Sequence, residues 1–177
     1  MDFIFPLVTV RKTGQYDFRN LFWRILESNA SEFYVISPFI DSQIFSKIFK
    51  TVFSEGTGGR KLIMISRNPD NEMRRNDFKN IQEGLDQNKF RYRLGSGNEV
   101  LWYFDKHLHA KVLIADFNTI LFGSQNLTYN GLGDDLNKSK CNNELGACIN
   151  QMNDKQKKGI KLFVESILKD ATKEYPL

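Results

Sequence analysis

Apolar positions recur along this chain with two periods, and the alternation between the periods lays out its elements. Phe18, Leu21, Phe22, Ile25 and Leu26 fall at helical spacing behind Asp17, a side chain suited to an N-cap. Phe33 to Ile36 is a short unbroken apolar run of the kind a buried strand needs. Asp41 or Ser42 then opens a second helix, whose Ile44, Phe45, Ile48, Phe49, Val52 and Phe53 form one stripe. Leu62 to Ser66 reads as a strand, and the polar stretch Asn71 to Arg75 leads into a helix with Phe78, Ile81 and Leu85 on one side. Lys89, Arg91 and Arg93 alternate with Phe90, Tyr92 and Leu94, which predicts a strand with one basic and one apolar face. Gly95 to Asn98 is a turn, Leu101 to Phe104 an aromatic strand, and Leu145 to Ile149 a further strand. Ile160, Phe163, Val164, Ile167 and Leu168 mark a last helix with lysines outside, and Leu7 to Val10 predicts a short strand near the start. Strands and helices that alternate in this way predict one α/β domain over residues 1–177, an α/β/α sandwich around a mixed, largely parallel sheet.

The chemistry concentrates between His109 and Asn126. In an extended segment His109 and Lys111 face the same way, while Val112, Leu113 and Ile114 continue an apolar strand behind them. Phe117-Asn118-Thr119 looks like a tight turn, and Thr119 to Phe122 is β-branched and apolar enough to return as the next strand. That hairpin brings Gly123, Ser124 and Asn126 back beside His109. An imidazole has a reference pKa of about 6.5 and is a competent nucleophile at phosphorus when neutral. Lys111 and Asn126 supply the donors that a phosphoryl transition state needs on its equatorial oxygens.

His109, Lys111, Asp116, Gly123, Ser124 and Asn126 stand at the spacing of the HKD signature, and on these residues the chain resembles the phospholipase D superfamily. Asn142-Asn143-Glu144-Leu145-Gly146 resembles the segment that often follows in that family, and Val35-Ile36-Ser37-Pro38-Phe39-Ile40 resembles its early strand. The resemblance implies a phospholipase D-like fold and a metal-independent phosphodiesterase without cofactors. It implies His109 as nucleophile, Lys111 and Asn126 as phosphate ligands, Ser124 beside them and Asp116 as a mainly structural acid. Glu144 would accept a hydrogen bond from the far nitrogen of His109. Because longer members carry two such segments, a single-segment chain is expected to work as a homodimer with its active site at the two-fold interface.

A lone strand histidine is usually structural, but six signature positions in register outweigh that reading for His109. His107 and His109 could instead form a metal-ligand pair, although no Cys, Asp or His cluster in the nearby sequence completes a coordination sphere. His107 reads better as a pocket-wall or surface residue. Further candidates for substrate contact are Ser37 at the end of its strand, Trp102 as a wall that stacks on bases, and Lys138 and Lys140 in the long polar connection after Asn126. Arg67, Arg74 and Arg75 could line a groove, yet solvated basic residues are the commoner case. Gly56-Thr57-Gly58-Gly59 tempts one to see a phosphate cradle, but it follows a helix rather than opening one after a strand, so it is read as a connector.

Composition narrows the class of substrate only slightly. Lysine and arginine outnumber the acids by 25 to 21, for a net charge of +4 and a pI near 9.0, a mild bias toward polyanions. Cys141 and Cys148 form no Cys-x-x-Cys pair, so a reduced, cytoplasmic setting is expected. No run approaches the roughly 18 apolar residues of a membrane span, and Met1 to Val10 does not read as a signal peptide. The leading expectation is an endonuclease acting on DNA or RNA through a phosphohistidine. The alternatives are a phospholipid phosphodiesterase or phosphatidyl transferase, and a catalytic fragment or nucleic-acid-binding subunit of a restriction or repair assembly.

Overall fold

Val35, Met64 and Leu113 bury on one side of a central sheet, and Ile36, Ile63, Ile65 and Ile114 on the other, so the middle strands are apolar on both faces and need cover on both. The structure is a computed structural model and describes residues 5–9, 18–54, 56–67, 72–86, 96–128, 132 and 144–176. The strands are β1 (Phe5–Thr9), β2 (Glu32–Ile36), β3 (Lys61–Ser66), β4 (Glu99–Phe104), β5 (Val112–Ala115), β6 (Thr119–Gly123), β7 (Glu144–Ile149) and β8 (Thr172–Pro176). They form one eight-stranded sheet in the order β1-β7-β6-β5-β2-β3-β4-β8.

Helices α1 (Phe18–Leu26), α2 (Ser42–Val52) and α3 (Glu72–Asp86) cover the first face. The stripes read from the sequence are what they bury: Phe18, Phe22, Ile25 and Leu26 from α1, and Ile44, Phe45, Ile48, Phe49 and Val52 from α2. Asp41 caps α2 by accepting from the backbone N–H of Ile44 at 2.8 Å. Helix α4 (Asp154–Asp170), opened by an Asn153–Gln156 capping box, covers the other face with Ile160, Phe163, Val164, Ile167 and Leu168. The α/β/α layering therefore holds.

The sheet is mixed, but the expectation that it is largely parallel does not hold. Parallel pairing is confined to β2–β3 and β3–β4, whose connections run through α2 and α3. The pairs β2–β5, β5–β6, β6–β7, β1–β7 and β4–β8 are antiparallel. The reason lies in the connections: a parallel neighbour needs a long crossover, whereas β5 and β6 are joined by three residues and must reverse direction. Strand β8, which the pattern of residues 172–176 does not announce, closes the β4 edge, where Pro176 is tolerated because an edge strand has an open side. The strand expected over residues 89–94 and the cap at Asp17 lie outside the described residues.

Candidate active site

Strands β2, β3 and β4 all finish at the same edge of the sheet, and the register places the start of β5, the end of β6 and the start of β7 there too. Between β2 and β5 the sheet changes from parallel to antiparallel pairing. Open α/β sheets bind ligands at the carboxyl ends of parallel strands where the topology switches, and His109, Lys111, Ser124 and Asn126 gather at such a place.

Local turns explain how each side chain arrives. After β4 the chain bends back on Asp105, whose carboxylate accepts from the His107 N–H at 2.8 Å and whose carbonyl accepts from the Leu108 N–H at 3.2 Å. Leu108 is buried and anchors the segment, so its neighbour His109 is turned outward and exposed. The Gly123 N–H donates to the Lys111 carbonyl at 3.1 Å, extending the β5–β6 ladder and drawing the segment after Gly123 alongside His109 and Lys111. Asn126 is clamped through the next residue: the Leu127 N–H donates to the Phe39 carbonyl and to Ser37 Oγ, both at 3.1 Å, and the Leu127 carbonyl accepts from the Asp41 N–H at 3.1 Å.

Lys111 Nζ donates to the His109 carbonyl at 2.9 Å, which folds the cation over the histidine backbone. Arg67, the first residue past β3, donates from Nε to the Leu108 carbonyl at 2.7 Å and from Nη2 to His109 Nε2. A guanidinium has donors only, so Nε2 must offer its lone pair, and in a neutral ring the proton then sits on Nδ1. The Phe39 ring lies 5.6 Å from the Arg67 guanidinium and supports it as an aromatic face supports a cation. Asn126 Oδ1 is buried and has no hydrogen-bond partner among the described residues, the kind of unmet capacity that functional sites carry. A half-turn of that carboxamide would present its N–H donors instead.

The structure thus brings His109, Lys111, Ser124 and Asn126 to one edge. The backbone of Glu144 starts β7 at the same edge, two residues before Gly146, which pairs with Gly123. Lys138 and Lys140 lie outside the described residues. His107 is exposed in the turn rather than on a strand face. Among the described residues no group of three or more His, Cys, Asp or Glu side chains gathers in a way that could hold a metal ion.

Two expectations are corrected. Ser37 is fully buried, and its hydroxyl donates to the Phe39 carbonyl at 2.9 Å while accepting from Leu127, so it braces Asn126 instead of touching substrate. Trp102 is 2% exposed, packs on Phe45, Phe78 and Phe104, and donates from Nε1 to Ser66 Oγ at 2.8 Å. It is core because β4 is an inner strand, flanked by β3 and β8, and its even-numbered residues face the α1–α3 layer. Asp116 sits at the opposite end of β5 from His109. Its carboxylate accepts from the Ser31 N–H, the Ser31 hydroxyl and the Glu32 N–H at 2.9 to 3.2 Å, which ties the end of β5 to the start of β2. The Gly56–Gly59 connector also lies at that far edge, ahead of β3. Arg67 is the residue that sequence reasoning undervalued; its position just past a parallel strand was the available signal.

Burial pushes the pKa of the Cys148 thiol up, so it stays protonated and behaves as a packing group. No helix among the described residues is long and apolar enough to cross a membrane.

The family model described as "Cardiolipin synthase, PLD-like domain" matches residues 23–163. No curated protein sequence matches the chain. Among solved structures, NucT from Helicobacter pylori is similar over 98% of this chain and 99% of its own, at 15% identity and a TM-score of 0.63. Nuc from Salmonella typhimurium, described as a phospholipase D family member, is similar over 97% of both chains at 14% identity and a TM-score of 0.58. The phosphatidylserine synthase of Haemophilus influenzae Rd KW20 is similar over 96% of this chain but 39% of its own, at 13% identity and a TM-score of 0.65. At such identities the likeness to these structures is one of fold.

Proposed function

This chain belongs to the phospholipase D-like phosphodiesterase superfamily, and from that premise we propose that it is an endonuclease that cleaves DNA or RNA through a phosphohistidine at His109, without a metal ion and as a two-fold dimer. The observation that carries the reading is the state of the imidazole: on an exposed residue its Nε2 accepts a bond from Arg67, so that nitrogen carries a lone pair and no proton, at the edge that Lys111 and Asn126 also reach.

In the first step Nε2 attacks phosphorus, the Nε2–P bond forms, and the bond to the leaving oxygen breaks as that oxygen takes a proton from a general acid. Lys111 and Asn126 donate to the non-bridging oxygens, where negative charge collects. Ser124 lies beside them. In the second step water attacks phosphorus, gives a proton to a base and releases the imidazole. The family resemblance assigns Glu144 the role of acceptor for Nδ1–H, a bond that would keep the ring in its nucleophilic tautomer. His109 of a second copy is the acid and then the base, since one histidine cannot attack and protonate at once. Nucleic acid is favoured over lipid by the net charge of +4.

The test is to incubate the chelator-dialysed protein with single-stranded DNA, duplex DNA, RNA and phospholipid vesicles. Nucleic acid is expected to be cut at a rate that chelator leaves unchanged, and acid-quenched protein is expected to carry phosphate on His109. Loss of turnover on dialysis with recovery in magnesium or zinc, or cleavage of lipid alone, would overturn the reading. His109→Ala should lower turnover by about 10³-fold or more at an unchanged melting temperature, whereas His107→Ala should cost no more than a few-fold.

A further inference from the structure

Arg67 holds an unusual position. Its Nε is fixed on the Leu108 carbonyl, its backbone N–H donates to the Pro38 carbonyl at 3.3 Å, and its Nη2 rests on the ring nitrogen that must attack phosphorus. One lone pair cannot both accept that bond and form a bond to phosphorus, so productive binding has to displace the guanidinium from Nε2. The phosphodiester itself brings the replacement. Its phosphorus must come within about 3 to 3.5 Å of Nε2, which puts non-bridging oxygens within reach of the Nη groups, and the planar guanidinium fork matches those oxygens better than it matches a ring nitrogen. A small rotation about the anchored Nε end transfers the contact without moving the backbone.

We propose that Arg67 is a substrate-phosphate ligand that also caps the nucleophile: in the empty site it occupies the His109 lone pair, and an arriving phosphodiester anion draws it onto a non-bridging oxygen. The inference rests on His109 being the nucleophile. It gives the site a permanent second cation beside Lys111, and it selects for anionic substrates, because the phosphoryl oxygen of a neutral ester is a weaker partner for the guanidinium than a phosphodiester anion.

The cap and the activity are separable by chemical modification of the full chain. Diethyl pyrocarbonate acylates an unprotonated imidazole nitrogen, and His107, exposed two residues away, serves as the internal reference. Arg67→Gln is expected to raise the His109-to-His107 acylation ratio by about 10-fold, and to weaken inorganic phosphate binding by calorimetry and kcat/KM on a DNA oligonucleotide by about 10- to 100-fold, the worth of a charge-assisted hydrogen bond. Arg67→Lys should fall between, and it carries the same measurements if the glutamine variant does not fold. An unchanged acylation ratio together with unchanged phosphate affinity in both variants overturns the proposal. Faster His109 acylation and weaker phosphate binding in a protein whose wild type cuts no phosphodiester would sink the nuclease reading while leaving the cap intact.

Discussion

The Asp116 carboxylate accepts from three donors at the far end of β5 from His109. It ties the β5–β6 turn to Ser31 and Glu32 at the start of β2, across 84 to 85 residues of chain. Asp116 and Phe117 both take φ of 49°, the left-handed conformation that a tight hairpin turn demands and that costs a bulky side chain of order 1–2 kcal/mol. The carboxylate bonds and the Phe117 ring, 4.9 Å from that of Tyr34, hold the turn against that cost. Asp116→Ala should therefore destabilise the fold by roughly 1–3 kcal/mol in denaturant unfolding, while kcat/KM per folded molecule stays within a few-fold of wild type. An activity loss as deep as that of His109→Ala would return Asp116 to the reacting groups.

Among elements, α1 packs low on β7 at Gly146. A Cβ built on Gly146 would lie 2.5 Å from Phe18 Cδ2 and 3.0 Å from the Phe122 carbonyl oxygen. Only glycine lets the helix sit that low on the sheet, and β7 in turn carries the backbone of Glu144 to the site edge. Gly146→Ala should lower stability by about 1–3 kcal/mol through overpacking. Phe18→Leu in the same chain should recover part of that loss, because the clash is with a ring edge. Independent, additive costs in that double-mutant cycle would show that the contact is not what makes the glycine necessary.

At the scale of the whole molecule, the proposed double displacement requires a second proton-transfer group. If His109 of a second copy supplies it, activity should fall on dilution in parallel with dimer content, and mixing excess His109→Ala protein with wild type should suppress turnover by forming mixed dimers. Sedimentation velocity at assay concentration, read beside the rate, decides the matter. A monomer with full activity would require another acid, with Glu144 and His107 the first candidates.

The local devices were legible in the chain: the helical stripes of α1, α2 and α4, the Asp41 cap, the β5–β6 hairpin and the register of His109, Lys111, Ser124 and Asn126 all depend on residues close together in sequence, where period and spacing carry the information. What lay beyond reach depends on neighbours distant in sequence. The two faces of β4 look alike in sequence, so whether Trp102 lines a pocket or fills the core was decided by β3, β8 and the helices packed on it. Ser37 ended a strand in either reading, and only the arrival of Leu127 made it a brace. Strand direction after β4, the role of residues 172–176 as an edge strand and the fall of Arg67 onto His109 follow from the order β5-β2-β3-β4-β8. Pairing order is a global choice of which strands bury which faces, and a pattern read one segment at a time does not contain it.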